Sequence, residues 1–294
     1  MKTSVVIPAF DRIESLRSVL QEWRRSGDNT ELVVVDDKSP HAKAIEDIAN
    51  QHHSLYVRNP SRKSEREPAL CRNLGFNASS GDVVVFNDAD VLPAPNALEL
   101  HRRYAEKGSV VVDAQVWNIA GGQAVVNKMQ RFTIDELTSV SQPAIQDQAI
   151  VWSTFEHPIP SNNWWAFLSA QCSFRRKDLL RIGRWDEGYS GWGVEDNDIG
   201  YRICKEGLRI IYARDVRCFH IDHSISREEY REKCRSALRN LRLMCEKYPE
   251  VAADERVRSR LQELERLIQG DFSYVVRQET VGGGPIERGD REPV

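Results

Sequence analysis

Apolar runs alternate with segments of helical periodicity along the first 110 residues. The runs predict strands, and apolar positions spaced by three or four residues predict helices between them. Predicted strands cover residues 4–7, 31–35, 55–57 and 83–86. Predicted helices cover residues 16–23, 45–49, 69–78 and 97–105. Strands and helices that alternate at this length favour parallel pairing with right-handed crossovers, so we expect a Rossmann-like α/β half.

The alternation weakens after the apolar run at residues 110–112. The later pattern predicts a helix over 129–140, a strand over 164–174, helices over 177–181 and 194–206, and a strand over 208–212. Between the first two of these elements, residues 141–163 are rich in polar residues, prolines and aromatics. A stretch of that length without predicted structure is usually a lid or a binding surface.

Two amphipathic helices end the patterned part of the chain. Apolar residues at helical spacing begin after Arg227 and stop at Pro249, and a second set runs from Val257 to Ile268. Their apolar faces favour a packing brace, with a homodimer surface as the alternative. We therefore divide the chain into residues 1–115, 116–223 and 224–270, followed by a glycine-rich, charged tail at 271–294 that we expect to be disordered.

Composition narrows the class of protein. The 294 residues are 40% hydrophobic and 29% charged, which is ordinary for a soluble protein. The formal net charge of −3 gives no general attraction to nucleic acid or to anionic membranes. No apolar run approaches the ~18 residues that a membrane span needs. The six cysteines contain no C-x-x-C pair, which argues against a zinc ribbon or a redox motif. Because the apolar run at residues 4–7 is too short for a signal peptide and ends at Pro8, we expect a cytoplasmic protein with reduced cysteines.

Asp88 and Asp90 come directly after the strand predicted at residues 83–86. Ligands of open α/β sheets bind beyond the carboxyl ends of the strands. Two hard oxygen donors at such an edge suit a divalent cation that also holds a phosphate. The alternative is a polar turn that closes the strand, which Pro93 and Pro95 would also fit.

A second informative stretch, Gly-Trp-Gly-Val-Glu-Asp at residues 191–196, opens the helix predicted at 194–206. Carboxylates in a first helical turn are favoured by the helix dipole, so Asp198 and Glu195 need no further function to be explained. Trp192 is different, because glycines on both sides present a large flat ring. This setting favours a surface that stacks against a sugar or a base, with a core aromatic as the alternative.

A third stretch contains two histidines, His220 and His223, just after the strand predicted at 208–212. A lone histidine is more often structural than a metal ligand, but these gain weight beside the Asp-x-Asp sequence at 88–90. A site with one carboxylate, one imidazole and two phosphate oxygens favours Mn²⁺ over Mg²⁺, because imidazole is a borderline donor.

The order of the motifs resembles that of family 2 glycosyltransferases of GT-A fold. The segments VVIPAFDR at 5–12, VDDKS at 35–39, RNLG at 72–75 and DAD at 88–90 carry this resemblance. SFR at 173–175 and GWGVED at 191–196 are similar to the catalytic half of β-1,4-galactosyltransferases and polypeptide N-acetylgalactosaminyltransferases. The resemblance covers residues 3–223. It implies a mostly parallel, Rossmann-like central sheet flanked by helices, here with a C-terminal helical extension.

The resemblance implies a nucleotide-sugar site in the first half of the chain. It places Asp37 at the uracil and Arg72 facing the diphosphate, with Asp88 and Ala89 at the ribose or sugar. The other implied nucleotide contacts are Pro8, Ala9, Phe10 and Arg12. Ala9 and Asp11 stand where threonine or serine and asparagine are commoner in the family, which leaves contacts from those two side chains open.

The resemblance also implies the metal and acceptor residues. Asp90 and His223 match metal ligands, and His220 is the alternative histidine. Trp192, Gly193 and Glu195 match the acceptor-binding segment, and Asp196 with Glu195 matches the pair that binds the acceptor and removes its proton. A hydroxyl nucleophile has a high pKa, so a carboxylate has to take its proton as the new bond forms.

We therefore expect a Mn²⁺-dependent transferase that moves a sugar from a UDP-sugar to a saccharide, lipid-linked sugar, peptide or small-metabolite hydroxyl. Inversion at the sugar is the preferred course and retention the alternative. A nucleotidylyltransferase shares the α/β architecture but would open with a glycine-rich loop after its first strand, and residues 8–12 contain no glycine. A non-catalytic sugar- or peptide-binding module is the third alternative.

Overall fold

The computed structural model describes residues 1–27, 30–129, 132–143, 159–161 and 163–271. Its strands are β1 (Thr3–Ala9), β2 (Glu31–Asp36), β3 (Leu55–Arg58), β4 (Val83–Asn87), β5 (Val91–Pro93), β6 (Val110–Ile119), β7 (Ser141–Pro143), β8 (Ile159–Ser161), β9 (Gln171–Arg175) and β10 (Arg209–Ile221). Its helices are α1 (Ile13–Ser26), α2 (Ala42–Gln51), α3 (Pro68–Ala78), α4 (Ala97–Glu106), α5 (Gly122–Val126), α6 (Ile134–Ser139), α7 (Arg176–Arg181), α8 (Glu195–Lys205), α9 (Arg227–Lys247), α10 (Pro249–Ala252) and α11 (Glu255–Ile268).

One sheet contains every strand of the described chain, in the order β3-β2-β1-β4-β9-β6-β10-β5, with β7 beside β6 and β8 beside β10. Strands β3, β2, β1 and β4 are parallel, as the alternating pattern predicted. Strand β9 enters antiparallel between β4 and β6, and β10 pairs parallel with β6. The predicted nucleotide-binding half and the predicted catalytic half therefore share a single sheet.

The core lies on both faces of this sheet. Along β1, Val5 and Ile7 pack with α1 on one face, whereas Val6 packs towards α3 on the other. Successive strand side chains point to opposite faces, and an apolar run without alternation is what a strand covered on both sides requires. Gly75 of α3 allows the close approach, since a Cβ there would stand 2.2 Å from a methyl of Val6.

Three predicted elements differ from the structure. The helix predicted at 129–140 is confined to α6, which begins at a capping box of Thr133 and Glu136. The strand predicted at 164–174 begins only at Gln171, after a 3₁₀ turn at Trp164–Ala166. The physical reason is that backbone N–H groups before Gln171 bond side chains and not a neighbouring strand, as Leu168 does to Asp113.

The third difference bears on the site. The strand predicted at 208–212 continues as β10 to Ile221, with an irregular register between Ala213 and Arg217. His220 therefore lies within a strand and not after one. Helices α9 and α11 pack against each other and against Tyr189 and Val194, in the role of the predicted brace.

None of the described helices combines the length and the apolar character needed to cross a membrane. The predicted binding loop lies outside the described residues at 144–158 and 162, and the predicted disordered tail does so from 272 onward.

Candidate active site

The predicted donor residues gather at the carboxyl ends of parallel strands β1, β2 and β4. Asn87, the last residue of β4, shapes the turn that follows: its amide donates to the carbonyls of Asp88 and Val91, both at 2.8 Å. The amide of Gln171 donates to Asn87 Oδ1 at 2.7 Å and fixes that side chain. The polar turn considered from the sequence therefore exists, and it carries Asp88 and Asp90 at the sheet edge.

Strand β10 brings two histidines to Asp90 across 130 residues of sequence. β5 pairs antiparallel with β10 so that Val91 lies opposite His220, and the backbone N–H of Ile221 donates to the carbonyl of Asp90 at 2.8 Å. His220 Nε2 lies 3.9 Å and His223 Nδ1 3.8 Å from Asp90 Oδ2. The ligand atoms of the three side chains all lie within 4.8 Å of one another.

The chemistry of this triad fits a divalent metal. His223 Nδ1 is a buried nitrogen without a hydrogen-bond partner in the described chain. Burial, then the charge of Arg12, lowers the pKa of His223 although Asp90 opposes the shift, so the imidazole is neutral near pH 7 and its lone pair is free to bind. One carboxylate and two imidazoles form a borderline donor set that suits Mn²⁺. Arg12 Nε lies 3.7 Å from Asp90 Oδ2 beside the triad.

A second cluster surrounds Arg72, whose side chain is only 4% exposed. Its guanidinium nitrogens lie 3.1 Å from Asp88 Oδ1, 3.2 Å from Glu195 Oε1 and 4.0 Å from Asp196 Oδ1. Burial opposes the charge on Arg72, but the three carboxylates outweigh it and raise the pKa of the guanidinium. Arg72 thereby ties the predicted donor residue Asp88 to the predicted catalytic pair.

Glu195 and Asp196 differ in environment although they are neighbours. Burial, then the charge of Asp196, raises the pKa of Glu195 to about 7 against the effect of Arg72. Glu195 therefore carries a proton part of the time at neutral pH. Asp196 is 20% exposed and accepts from Ser169, whose N–H lies 3.1 Å and whose hydroxyl lies 2.5 Å from the two carboxylate oxygens.

The backbone that presents this pair is unusual. Gly191, Gly193 and Val194 have φ values of 77°, 86° and 78°, in the left-handed region. Glycine adopts this region freely, but a β-branched residue does so only when the surroundings impose it, at a cost on the order of 1–3 kcal/mol. Val194 is the N-cap of α8 and packs into the core of the C-terminal helices. The sharp turn at Val194 aims Glu195 and Asp196 at Arg72.

Helix α9 holds the loop before this turn. Ser236 Oγ accepts from the N–H of Trp192 at 2.7 Å, and the amide of Asn240 donates to the carbonyls of Ser190 and Gly193, both at 2.9 Å. The Trp192 ring is 38% exposed, as a stacking surface has to be. Asp198, one turn into α8, is fully buried and pairs with Arg202 at 2.6 Å, which agrees with its predicted structural role.

The remaining residues predicted to bind the donor lie at the carboxyl ends of β1 and β2, and with the segment at 59–67 they form what we call the wall. Pro8 and Ala9 end β1, and Phe10 follows with Arg66 over its ring at 5.3 Å. Asp37 is buried, and its two oxygens accept from Asn59 Nδ2 at 2.7 Å and from the N–H of Glu67 at 2.6 Å. Asp37 therefore orders the segment at 59–67 that forms this wall.

Sequence reasoning missed three residues of the site. Ser169 falls within the strand predicted at 164–174, Arg66 lies in none of the predicted motifs, and Lys233 is one polar position of a predicted amphipathic helix. The helical periodicity contained a usable signal for Lys233, since it lies three residues before Ser236 and seven before Asn240, on the face that meets the catalytic loop.

The fold and this site together define a GT-A glycosyltransferase. The chain belongs to glycosyl transferase family 2, whose model matches residues 4–182, more than half of the sequence. A second model, described as the N-terminal domain of galactosyltransferase, matches residues 150–224. Both matches confirm the predicted family and the predicted enzyme class, and they set the nucleotidylyltransferase and non-catalytic alternatives aside.

Curated relatives include an uncharacterized glycosyltransferase, YfnE, of Bacillus subtilis, which is 22% identical over 290 residues and covers 85% of this chain. The chondroitin synthase of Escherichia coli is 27% identical over 243 residues and covers 74% of this chain. The aligned region spans 71% of the Bacillus protein but only 34% of the synthase.

Solved structures of the same fold include TarS residues 1–349 of S. aureus, with a TM-score of 0.58, 17% identity, and coverage of 96% of this chain and 77% of that one. The mannosyltransferase PcManGT of Pyrobaculum calidifontis, solved with GDP-Man and Mn²⁺, has a TM-score of 0.55, 18% identity, and coverage of 96% and 76%. At these identities the likeness establishes the GT-A fold.

Proposed function

We propose that this glycosyltransferase moves a sugar from a UDP-sugar to a hydroxyl acceptor in a metal-dependent reaction with inversion. One observation carries the proposal: Asp90, His220 and His223 converge beside Arg12, at the sheet edge where Arg72 joins Asp88 to Glu195 and Asp196. The neighbouring structures give chemical support, since TarS was solved with UDP and with UDP-GlcNAc, and PcManGT with GDP-Man and Mn²⁺.

In this proposal the first half of the chain, residues 1–115, binds the donor. Pro8, Ala9, Phe10 and Arg12 lie along the nucleotide, with Asp37 at the uracil end of the wall. Asp88 and Ala89 face the ribose or sugar. Arg72 lies on the diphosphate side of Asp88 and also sets the separation between that carboxylate and Glu195.

Asp90, His220 and His223 would hold the cation. When bound, Mn²⁺ supplies positive charge that stabilises the departing nucleoside diphosphate. Arg12 adds a fixed positive charge next to the same group, since its guanidinium already lies beside Asp90. Mg²⁺ is the alternative ion, although the two imidazole donors favour Mn²⁺.

Residues 116–223 bind the acceptor and carry the base. Trp192 and Gly193 form the surface for the acceptor, and Glu195 hydrogen-bonds its hydroxyl. Asp196 takes the hydroxyl proton as the oxygen attacks the anomeric carbon and the bond to the diphosphate breaks. Asp196 suits this role better than Glu195, because its side chain is 20% exposed against 9% and lies farther from Arg72, at 4.0 Å against 3.2 Å. Residues 224–270 brace the loop that presents both groups.

A single displacement with Asp196 as base gives a β-linked product from an α-linked donor. The retaining course is the alternative, because the polypeptide N-acetylgalactosaminyltransferases that the segment at 191–196 resembles keep the donor configuration. NMR of the anomeric proton of the product distinguishes the two. An α-linked product from an α-linked donor would overturn inversion.

The direct test needs no acceptor. UDP-sugars are incubated with the protein and Mn²⁺, and released UDP is measured with and without EDTA. We expect slow hydrolysis of at least one donor that stops with EDTA and in Asp90→Ala, but continues in Asp47→Ala, which removes an exposed aspartate of α2. Hydrolysis that is indifferent to EDTA would contradict the metal-dependent mechanism. Absence of UDP release from every donor, together with absence of UDP binding, would contradict the choice of UDP-sugar.

A further inference from the structure

We infer that Lys233 of helix α9, together with Arg66 and Arg12, forms a cationic subsite for the diphosphate of the donor. The inference rests on the proposed function and adds a binding residue from the C-terminal helices, which neither sequence motif nor family model reaches: the two matches end at residues 182 and 224.

The first step is where the charges lie. Lys233 is half-buried, and its ammonium lies 5.7 Å from the centre of the Trp192 ring. Four charged groups act on it: Arg66 and Arg12 repel it, whereas Asp90 and Glu229 attract it. Burial, then the charges of Arg66 and Arg12, lowers the pKa of Lys233. Lys233 is therefore near enough to both guanidinium groups to feel their charge, and Arg12 itself lies 3.7 Å from Asp90 of the metal triad.

The second step is that these cations lack matching carboxylates. In the part of the chain that the structure describes, no carboxylate lies within 4.0 Å of Lys233 or Arg66. Glu229 is already engaged as the capping-box partner of Ser226. Asp90 is shared among Arg12 and two histidines. Lys233, Arg66 and Arg12 are all positive, and Asp90 is the carboxylate that Arg12 shares with the histidines. This excess of positive charge favours the binding of a polyanion.

The third step is the contrast with Arg72. That guanidinium faces three carboxylates within 4.0 Å and is almost fully buried, so most of its charge is compensated within the protein. A leaving diphosphate needs positive charge that is still available to it. Lys233 and Arg66 supply such charge from two separate elements, one from α9 and the other from the wall at 59–67.

The fourth step is that Lys233 is held in place. Ser236 and Asn240, on the same face of α9, bond the backbone of the loop at 190–193. The carbonyl of Arg66 accepts from the N–H of Gly191 at 2.7 Å, which fixes the wall to that same loop. The backbone segments that carry Lys233 and Arg66 are therefore both tied to the loop at 190–193 before any ligand arrives, so binding loses less entropy.

The experiment is calorimetric titration of the 294-residue chain with UDP and with GDP, each with Mn²⁺, because the diphosphate is common to both probes. Lys233→Met keeps the apolar stem and removes the charge. We expect it to lower the affinity for whichever diphosphate the wild type binds by ten- to a hundredfold, which is the contribution of one charge-assisted hydrogen bond. Lys233→Arg should stay within about threefold of the wild type. Arg235→Met is the matched control, since Arg235 lies on the same helix but pairs with Glu228 and Glu232.

Equal affinities of Lys233→Met and wild type would overturn the subsite and leave the proposed function standing. A wild type that binds neither diphosphate would overturn the proposed function and the subsite together. Circular dichroism and thermal unfolding check that Lys233→Met folds, and Lys233→Gln replaces it if it does not.

Discussion

At the scale of single residues, two carboxylates that are close in the sequence have different environments in the fold. Asp196 and Asp198 lie in the same turn of α8, yet Asp198 is fully buried against Arg202 and Tyr189, whereas Asp196 is partly exposed and bonded to Ser169. Helix geometry turns residues two apart to different sides. The buried aspartate stabilises the fold, and the partly exposed one is the residue that we propose as the base.

Asp196→Asn tests the assignment of the base. The amide keeps the hydrogen bonds of Asp196 in part but cannot take a proton, so we expect turnover to fall by about 10²- to 10⁴-fold while UDP affinity changes little. The measurements are initial rates with a donor that the wild type accepts, and titration with UDP and Mn²⁺. Asp47→Asn on α2 serves as control. Equal loss of affinity and turnover in Asp196→Asn would contradict its role as base.

Much of the residue-level site could be predicted because its members come in short ordered motifs. Asp88, Asp90, Glu195, Asp196 and the two histidines converge in three dimensions as the motif order implied. Ser169 could not be predicted, since its bond to Asp196 depends on a backbone segment that leaves the sheet. The three carboxylates around Arg72 could not be predicted either, because two of them come from a part of the chain more than 100 residues away.

At the scale of elements, the loop before α8 and the helix that holds it work as one unit. A Cβ on Gly191 would lie 2.1 Å from Ser236 Oγ, whereas a Cβ on Gly193 would lie 3.5 Å from Ala237 Cβ, an ordinary contact. Both glycines have positive φ, so the two positions differ in space and not in backbone strain.

Gly191→Ala should therefore lower the free energy of unfolding by more than Gly193→Ala. Each substitution costs on the order of 1 kcal/mol for the left-handed backbone, and Gly191→Ala also displaces the Ser236 hydroxyl that accepts from Trp192. Gly207→Ala is the control for φ alone, since φ is 70° there and nothing lies within 4 Å. Urea unfolding of the three variants measures the order, and equal losses in Gly191→Ala and Gly207→Ala would contradict the clash.

Glu31, at the start of β2, gives a pH-dependent prediction. Burial raises its pKa, but hydrogen bonds from Ser4 and Ser80 and the charge of Lys2 outweigh that effect and lower the pKa to about 2 from 4.5. A carboxylate whose pKa is lower in the folded than in the unfolded protein stabilises the folded state at pH values above its unfolded pKa. This stabilisation is lost as the pH falls from about 4.5 towards about 2.

Glu31→Gln should thus reduce the free energy of unfolding by about 1–2 kcal/mol at pH 7. The difference from the wild type should shrink between pH 4.5 and pH 3. Urea unfolding at pH 7, 5 and 3.5 measures it, with Glu99→Gln, an exposed glutamate on α4, as the control. A difference that stays constant over this range would show that the carboxylate charge is not responsible.

Element types were predictable where local pattern and tertiary packing agree. The strands and helices up to residue 106 follow the alternating pattern closely, except for the short strand β5, whose prolines favoured a loop. The extension of β10 to Ile221 was not predictable, because residues 213–217 interrupt the apolar run and only pairing with β6 and β5 keeps the strand going. The antiparallel entry of β9 likewise depends on neighbours that are distant in sequence.

At the scale of the whole molecule, one continuous sheet sets the site. The turn between β4 and β5 carries Asp88 and Asp90, β10 carries His220, and β9 joins the two sets of strands. Each half alone offers an incomplete ligand set, so we expect a single cation to link them. The C-terminal helices complete the arrangement by fixing the loop that carries Trp192 and precedes α8.

The most direct test is anomalous diffraction at the manganese edge from crystals grown with Mn²⁺ and UDP. We expect one strong peak bound to Asp90 and to at least one of His220 and His223, at roughly 2.0–2.3 Å, with the diphosphate on its open side. A peak away from all three side chains, or bound UDP without a peak beside Asp90, would contradict the shared metal site on which the proposed reaction depends.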